Sequence, residues 1–174
     1  MGSGDGSLKL DAYDVKILAA LQREGRITKL KLAEEIGLSP SPCWERMRRL
    51  EKQGLIRGYH ADVDLEQLLH TATILVEVTL RSHQARDFER FEQAVADVPE
   101  ILECYGTGGG IDYLLKVVAL DIDHYQRVID NLLLSEVGID RYFTYIVTRQ
   151  VKQDREPPLV YLMHKAGDSR APRG

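Results

Sequence analysis

Apolar positions in this chain recur with two different periods, and the change of period divides it. Through residues 10–54 they return every three or four residues, as they do on helices. Ile17, Leu18 and Leu21 share one face behind Asp11, a helix-capping residue type. Thr28 can cap a shorter helix carrying Leu32, Ala33 and Ile36. Gly37-Leu38-Ser39 then has the length of the turn that joins two helices of a helix-turn-helix. Ser39 followed by Pro40 starts a third helix, because serine can cap free amides and proline suits the first turn. Gly54 stops it, since glycine readily takes the left-handed conformation. On this helix Cys43, Met47 and Leu50 form the inward stripe. Ser41, Glu45, Arg48, Arg49 and Lys52 face the other way, with Arg46 on the flank. Trp44 borders the stripe, which favours core packing over an outside contact. Residues 55–63 read as two short extended pieces turning at Gly58, the wing of a winged helix-turn-helix.

From Thr73 the period falls to two. Thr73–Leu80 is expected to be a strand with Ile74, Val76, Val78 and Leu80 on one face. A helix over 85–98 follows, with Phe88, Phe91, Val95 and Val98 inward and Pro99 as its stop. Then come a strand over 101–105, a glycine loop over 106–110 and a strand over 113–120. A helix over 124–137 turns Tyr125, Val128, Ile129, Leu132 and Leu133 inward, and a last strand covers 141–152. Strand-helix-strand-strand-helix-strand is the split βαβ, ferredoxin-like order, so the fold class is α+β. Both helices should cover one face of an antiparallel sheet. The other face, apolar at Leu75, Leu114, Val118 and Ile146, then needs a partner, and a dimer through it is expected.

The expected organisation is a winged helix-turn-helix over 10–63, a linker over 64–72, a second domain over 73–153 and a tail over 154–174. Residues 1–9 look like an expression scar or a disordered leader. Leu159–Met163 is an apolar island in the tail, either a strand or short helix docking on another subunit or part of a loosely attached terminus.

Charge sharpens this division. Residues 1–60 hold eleven Lys/Arg against eight Asp/Glu, hence +3, and the remainder carries −7 of the overall −4. A basic first third on an acidic rest suits a protein that touches phosphate with one end. No apolar run is long enough to span a bilayer, so no membrane partner is expected and a cytoplasmic location follows by default. Cys43 and Cys104 are far apart without metal-ligand neighbours, so buried reduced thiols are expected. The five histidines are scattered. No nucleophile–base pair, carboxylate pair or metal set stands out, so neither an enzyme, a metal site nor a cofactor is expected.

The loop Gly106-Thr107-Gly108-Gly109-Gly110 admits three readings. A phosphate cradle fails, because no Gly-Lys-Ser/Thr follows and the loop opens a strand. A flexible hairpin tip and a backbone approach to a small ligand both stand. Gly109-Gly110-Ile111-Asp112-Tyr113-Leu114-Leu115-Lys116-Val117 resembles the Gly-x-x-Asp-Tyr stretch of the Lrp/AsnC regulators. Leu10-Asp11-Ala12-Tyr13-Asp14-Val15-Lys16-Ile17-Leu18 resembles that family's opening. Leu32–Ser39, Arg46–Glu51 and Gly54–Tyr59 follow in family order, so the resemblance covers about residues 10–153.

The resemblance implies a transcription regulator with an N-terminal winged helix-turn-helix. It also implies a C-terminal domain that dimerises, assembles further, often to octamers, and binds amino acids between dimers. The pocket would use Gly106–Asp112 and the neighbouring subunit's last strand, where Thr144 fits the family's threonine. Family members often place threonine just before the glycine of Thr-Gly-x-x-Asp; here that position is Gly108, with Thr107 one earlier.

Contacts to operator DNA are accordingly expected from Ser39, Ser41, Arg46, Arg48, Arg49, Lys52 and the wing residue Arg57. Effector contacts are expected from Tyr105, Gly106, Thr107, Gly108, Gly109, Gly110, Asp112, Tyr142 and Thr144. In this scheme loop amides receive a carboxylate and Asp112 an ammonium group. The alternative for Asp112 is a turn residue, and for the tyrosines plain packing. A ligand-independent architectural DNA-binding protein is the competing function.

Overall fold

The computed structural model describes residues 10–154 and 156–168, so the expectation for 1–9 and that for the last six tail residues lie outside it. The chain divides into two units. One joins residues up to Asp62 with the segment from Gln153 onward, and the other is Val63–Lys152.

In the first unit, α1 (Ala12–Arg23) starts at Asp11, whose carboxylate accepts from the Asp14 amide while the Asp14 carboxylate accepts from the Asp11 amide. Helix α2 (Lys29–Ile36) is capped by Thr28 and ends at Gly37, left-handed at φ 74°. Helix α3 (Pro40–Lys52) follows after two residues, and Gly54 at φ 71° ends it. Ile17, Ala20, Leu32, Ala33, Ile36, Cys43 and Leu50 form the core. Ser39 makes no side-chain capping bond, contrary to expectation. Residues 55–63 bend at Leu55 and Ile56 and form no strand, so the wing is not a closed hairpin among the described residues.

The C-terminal apolar island is helical. Helix α6 (Leu159–Asp168) packs on α1 of its own chain, where Gln22 donates to the Pro157 carbonyl at 3.2 Å. The side of α1 turned to this segment carries Val15, Ala19 and Gln22, opposite its core face.

The second unit is a four-stranded antiparallel sheet in the order β2-β3-β1-β4, built from β1 (Ala72–Leu80), β2 (Ile101–Gly106), β3 (Tyr113–Ala119) and β4 (Ile139–Ile146). Helices α4 (Ala85–Ala96) and α5 (Ile122–Leu134) supply Phe91, Val95, Tyr125, Ile129 and Leu132 to the core that Ile74, Val76, Val78, Leu115 and Val117 complete. Helix α5 begins two residues earlier than expected because Asp121 caps it, accepting from the His124 amide at 2.6 Å. It also ends earlier, at Leu134, and Leu133, expected to face inward, is 38% exposed.

Strand β4 is shorter than expected at its far end. It is an edge strand whose one neighbour, β1, begins at Ala72, and the Val147 amide makes a last bond to the Thr73 carbonyl. Register also moves Ile146. It pairs with Ile74, on the helix-covered side, and not on the open face. The open face carries Leu75, Leu114, Val118, Phe143 and Tyr145 around Glu77, Lys116 and Glu103. Cys43 is buried, but Cys104 is exposed on the edge strand β2, which corrects the expectation of two buried thiols.

Candidate nucleic-acid interface and effector loop

Helix α3 is held in place by a cluster of charges on its flank. Asp14 is 1% exposed and lies in the apolar stripe of α1. Its carboxylate accepts from Arg46 Nη1 at 2.9 Å and Arg49 Nη2 at 2.6 Å, and Arg46 also reaches Asp11 at 2.6 Å. A buried carboxylate persists only when paired in this way. Hydrogen bonds from the Asp14 amide and Arg46 hold the Asp11 carboxyl below the usual range. Bonds to Asp11 and Asp14 raise Arg46 further above its ordinary value. Two of the five cations expected on DNA thus brace α3 against α1.

The remaining cations, Arg48, Lys52 and Arg57, are exposed and make no ion pair recorded among the described residues. Ser39 and Ser41 are exposed at the helix start. Pro40 and Pro42 lack amide hydrogens, so of the first three helical positions only Ser41 offers one. The helix start is therefore a poorer anion site than serine and helix geometry alone imply. Trp44 is half-buried, and Lys29 Nζ lies 3.1 Å from the centre of its ring. The expectation of core packing for Trp44 did not include this cation.

At the far end of the sheet, the loop between β2 and β3 is pinned by Thr107 and Asp112. The Thr107 amide donates to the Asp112 carbonyl at 2.8 Å, and the Thr107 hydroxyl donates to the Ile111 carbonyl at 2.6 Å. The Asp112 carboxylate accepts from the Leu80 amide at 2.7 Å, and His83 Nε2 lies 3.0 Å from Oδ1. The Asp112 carboxylate therefore serves β1 and His83, and only the Asp112 carbonyl accepts from a loop amide, that of Thr107. His83 had no sequence signal beyond its position before a helix. At Gly108 and Gly110 an added Cβ would meet nothing within 4 Å, and neither has a positive φ. Nothing in the chain itself requires glycine there.

The other expected effector residues lie apart in one chain. Tyr105 pairs with Leu114 on the open face and donates to Glu103. That bond, ahead of one from Lys116, lowers the Glu103 carboxyl. Tyr142 pairs with Val78 and Thr144 with Val76, both on the helix-covered side of β4. Thr144 Oγ1 lies 2.5 Å from the Tyr125 hydroxyl, whose pKa burial raises. Tyr113 is 3% exposed and donates to Glu92 at 2.8 Å, so it belongs to the core.

A helix-turn-helix whose last helix shows an exposed basic face, joined to a βαββαβ domain with a pinned glycine loop, defines a DNA-binding regulator with a sensory domain. Residues 10–57 match a family described as winged helix-turn-helix DNA-binding, and residues 73–157 match the Lrp/AsnC ligand binding domain. The chain belongs to the Lrp/AsnC family of transcriptional regulators. It is 57% identical over 146 residues to the transcriptional regulatory protein DoeX of Halomonas elongata, covering 84% of this chain and 92% of that one. It is 42% identical over 144 residues to the leucine-responsive regulatory protein of Escherichia coli, covering 83% and 88%. Among solved structures, a transcriptional regulator of Neisseria meningitidis in complex with L-Met superposes with a TM-score of 0.81 at 33% identity, covering 88% of this chain and 99% of that one. An AsnC family regulator from Agrobacterium tumefaciens superposes at 0.82 with 33% identity, with the same coverage. These relatives are transcriptional regulators, and the matched families are binding domains, not catalytic ones. Among the described residues no group of three His, Cys, Asp or Glu is placed to hold a metal, and no helix is long and apolar enough to cross a membrane.

Proposed function

We propose that the chain is a sequence-specific regulator whose assembly, and through it whose DNA binding, responds to an amino acid. The observation that carries the sensory part is the room around Gly108 and Gly110, which the fold of one chain does not need. That open space lets a ligand or a neighbouring copy approach the loop backbone closely. Loop amides over Gly106–Gly110 receive the ligand carboxylate. Asp112 Oδ1 faces the exposed imidazole of His83, and a ligand ammonium takes over that place. Tyr105 borders the site, and Tyr142 and Thr144 come from the β4 of a neighbouring copy, which explains why one chain keeps them apart. The L-Met complex of the Neisseria regulator supports an amino acid as ligand. Dimers form through the open sheet face and associate further.

On DNA, Ser39, Ser41, Arg48, Lys52 and Arg57 make the contacts, while Arg46 and Arg49 orient the helix that carries two of these cations. The ligand acts only through unequal affinity for two assemblies.

The test is calorimetry with each of the twenty amino acids, combined with light scattering. One amino acid is expected to bind and change the mass of the assembly, and Asp112→Asn to abolish the heat. No heat from any of them, with unchanged mass and operator affinity, overturns the reading. It would leave the ligand-independent architectural function, which the prior commitments of Asp112 and the hydroxyl missing at Gly108 favour.

A further inference from the structure

We propose that Glu45 is a base-reading residue of α3, accepting a hydrogen bond from the exocyclic amine of a cytosine in the major groove. This rests on α3 being the helix that enters the groove.

Ser41, Glu45, Arg48 and Lys52 recur at i, i+4, i+7 and i+11, all four are exposed, and the buried Cys43 and Leu50 lie on the opposite side. They are the stripe that meets the groove floor. Glu45 is the acidic member of that stripe. It stands four residues before Arg49, the spacing at which a glutamate and an arginine pair along a helix. Arg49 instead turns to Asp14 at 2.6 Å, and Arg46, next to Glu45, turns to Asp11 and Asp14. The clamp thus draws Arg46 and Arg49 away from Glu45 and leaves Arg48, three residues on, as its one arginine neighbour on the stripe. No ion pair at Glu45 is recorded among the described residues.

A carboxylate between two DNA strands is repelled by phosphate wherever it faces the backbone. It is tolerated over base edges, where a carboxylate, a pure acceptor, matches a donor on a base that presents no acceptor of its own in the groove. The cytosine amine is that donor; adenine presents N7 beside its amine. Glu45 lies in the second turn of α3, the half of a recognition helix that reaches base edges. Arg48, one turn further on the same stripe, supplies the cation that offsets it against the backbone.

The test uses the full chain and selection from randomised duplexes, with wild type, Glu45→Ala and Glu45→Gln. Their folds are compared by the fluorescence of Trp44. Wild type is expected to fix a C·G pair at one position of each half-site. Glu45→Ala should lose that preference by roughly tenfold, keep the others, and bind random duplex more tightly because a negative charge is gone. Glu45→Gln should move the same position toward adenine, whose amine and N7 a glutamine matches. Identical base preferences in all three proteins overturn the proposal while leaving α3 as the reading helix. A wild type that enriches no sequence overturns groove entry itself, and the role of Glu45 with it.

Discussion

Replacing Asp14 by alanine should unfold the DNA-binding unit more readily than any change on its exposed face. The carboxylate accepts three hydrogen bonds, from Arg46, Arg49 and the Asp11 amide. Breaking a fully buried ion pair costs about 3–5 kcal/mol, because a charge is left without a partner. Here the arginines are 26% and 46% exposed, and Arg46 keeps Asp11. Solvent therefore screens part of the loss, and about 2–3 kcal/mol remains.

Trp44, the one tryptophan of the chain, sits on the clamped helix and reports its melting by fluorescence. With a urea m-value of ~1.5 kcal/mol/M, the midpoint should fall by about 1.3–2 M. Asp14→Asn, which keeps an acceptor and loses the charge, should lie between. Arg46→Ala should also destabilise, whereas Arg48→Ala should leave stability within about 0.5 kcal/mol and weaken operator binding. Acid should act in the same direction. The folded pKa of Asp11 is depressed, so its contribution is complete above the unfolded value near 3.9 and fades as pH falls through the lower folded value. An Asp14→Ala midpoint within experimental error of wild type would refute the clamp. So would Arg48→Ala proving more destabilising than Arg46→Ala.

Two further outcomes test other parts of the molecule. Gly108→Thr restores a hydroxyl at the family position; it fits the backbone and the space of one chain, so unfolding should shift by less than about 0.5 kcal/mol while amino-acid affinity changes in calorimetry. Deleting residues 157–174 uncovers Val15 and Ala19 on α1 and loses the Gln22 bond, so the Trp44 transition should fall by about 1–2 kcal/mol.

Much of the fold follows from periodicity. The core positions of α2 and of β1 were legible because each buries a single regular stripe. Element ends were not, where they depend on a neighbour. The length of β4 is set by where β1 begins, and sequence alternation continues past that point. Ile146 was assigned to the wrong face for a related reason. Both of its flanking alternations are apolar, and only the pairing with Ile74 decides between them. The arginines failed differently. Helical phase places Arg49 outward and Arg46 on the flank, but arginine is long and a buried carboxylate one helix away draws both back. A visible signal was available, since Asp14 lies three residues before Ile17 on a stripe that is otherwise apolar, a position for a paired charge. The residues expected at an effector came from resemblance alone, and their separation across two sides of the sheet comes only from register.

The clamp has a consequence for how the protein must bind DNA. With Arg46 and Arg49 paired to Asp11 and Asp14, the proposed interface of one unit has Arg48, Lys52 and Arg57 for phosphate, and Glu45 opposes them. Three phosphate contacts give a logarithmic salt slope near −2.7 for one unit, a weak electrostatic grip. On the proposed reading, selectivity and affinity come from copy number, supplied through the open sheet face bearing Leu75, Leu114, Phe143 and Tyr145. A slope that grows in steps of about −2.7 as units engage is the signature of that division of labour. If instead a single unit gave a slope near −5, the clamped arginines would have to leave Asp14 on DNA, and the rigid brace would be a switch.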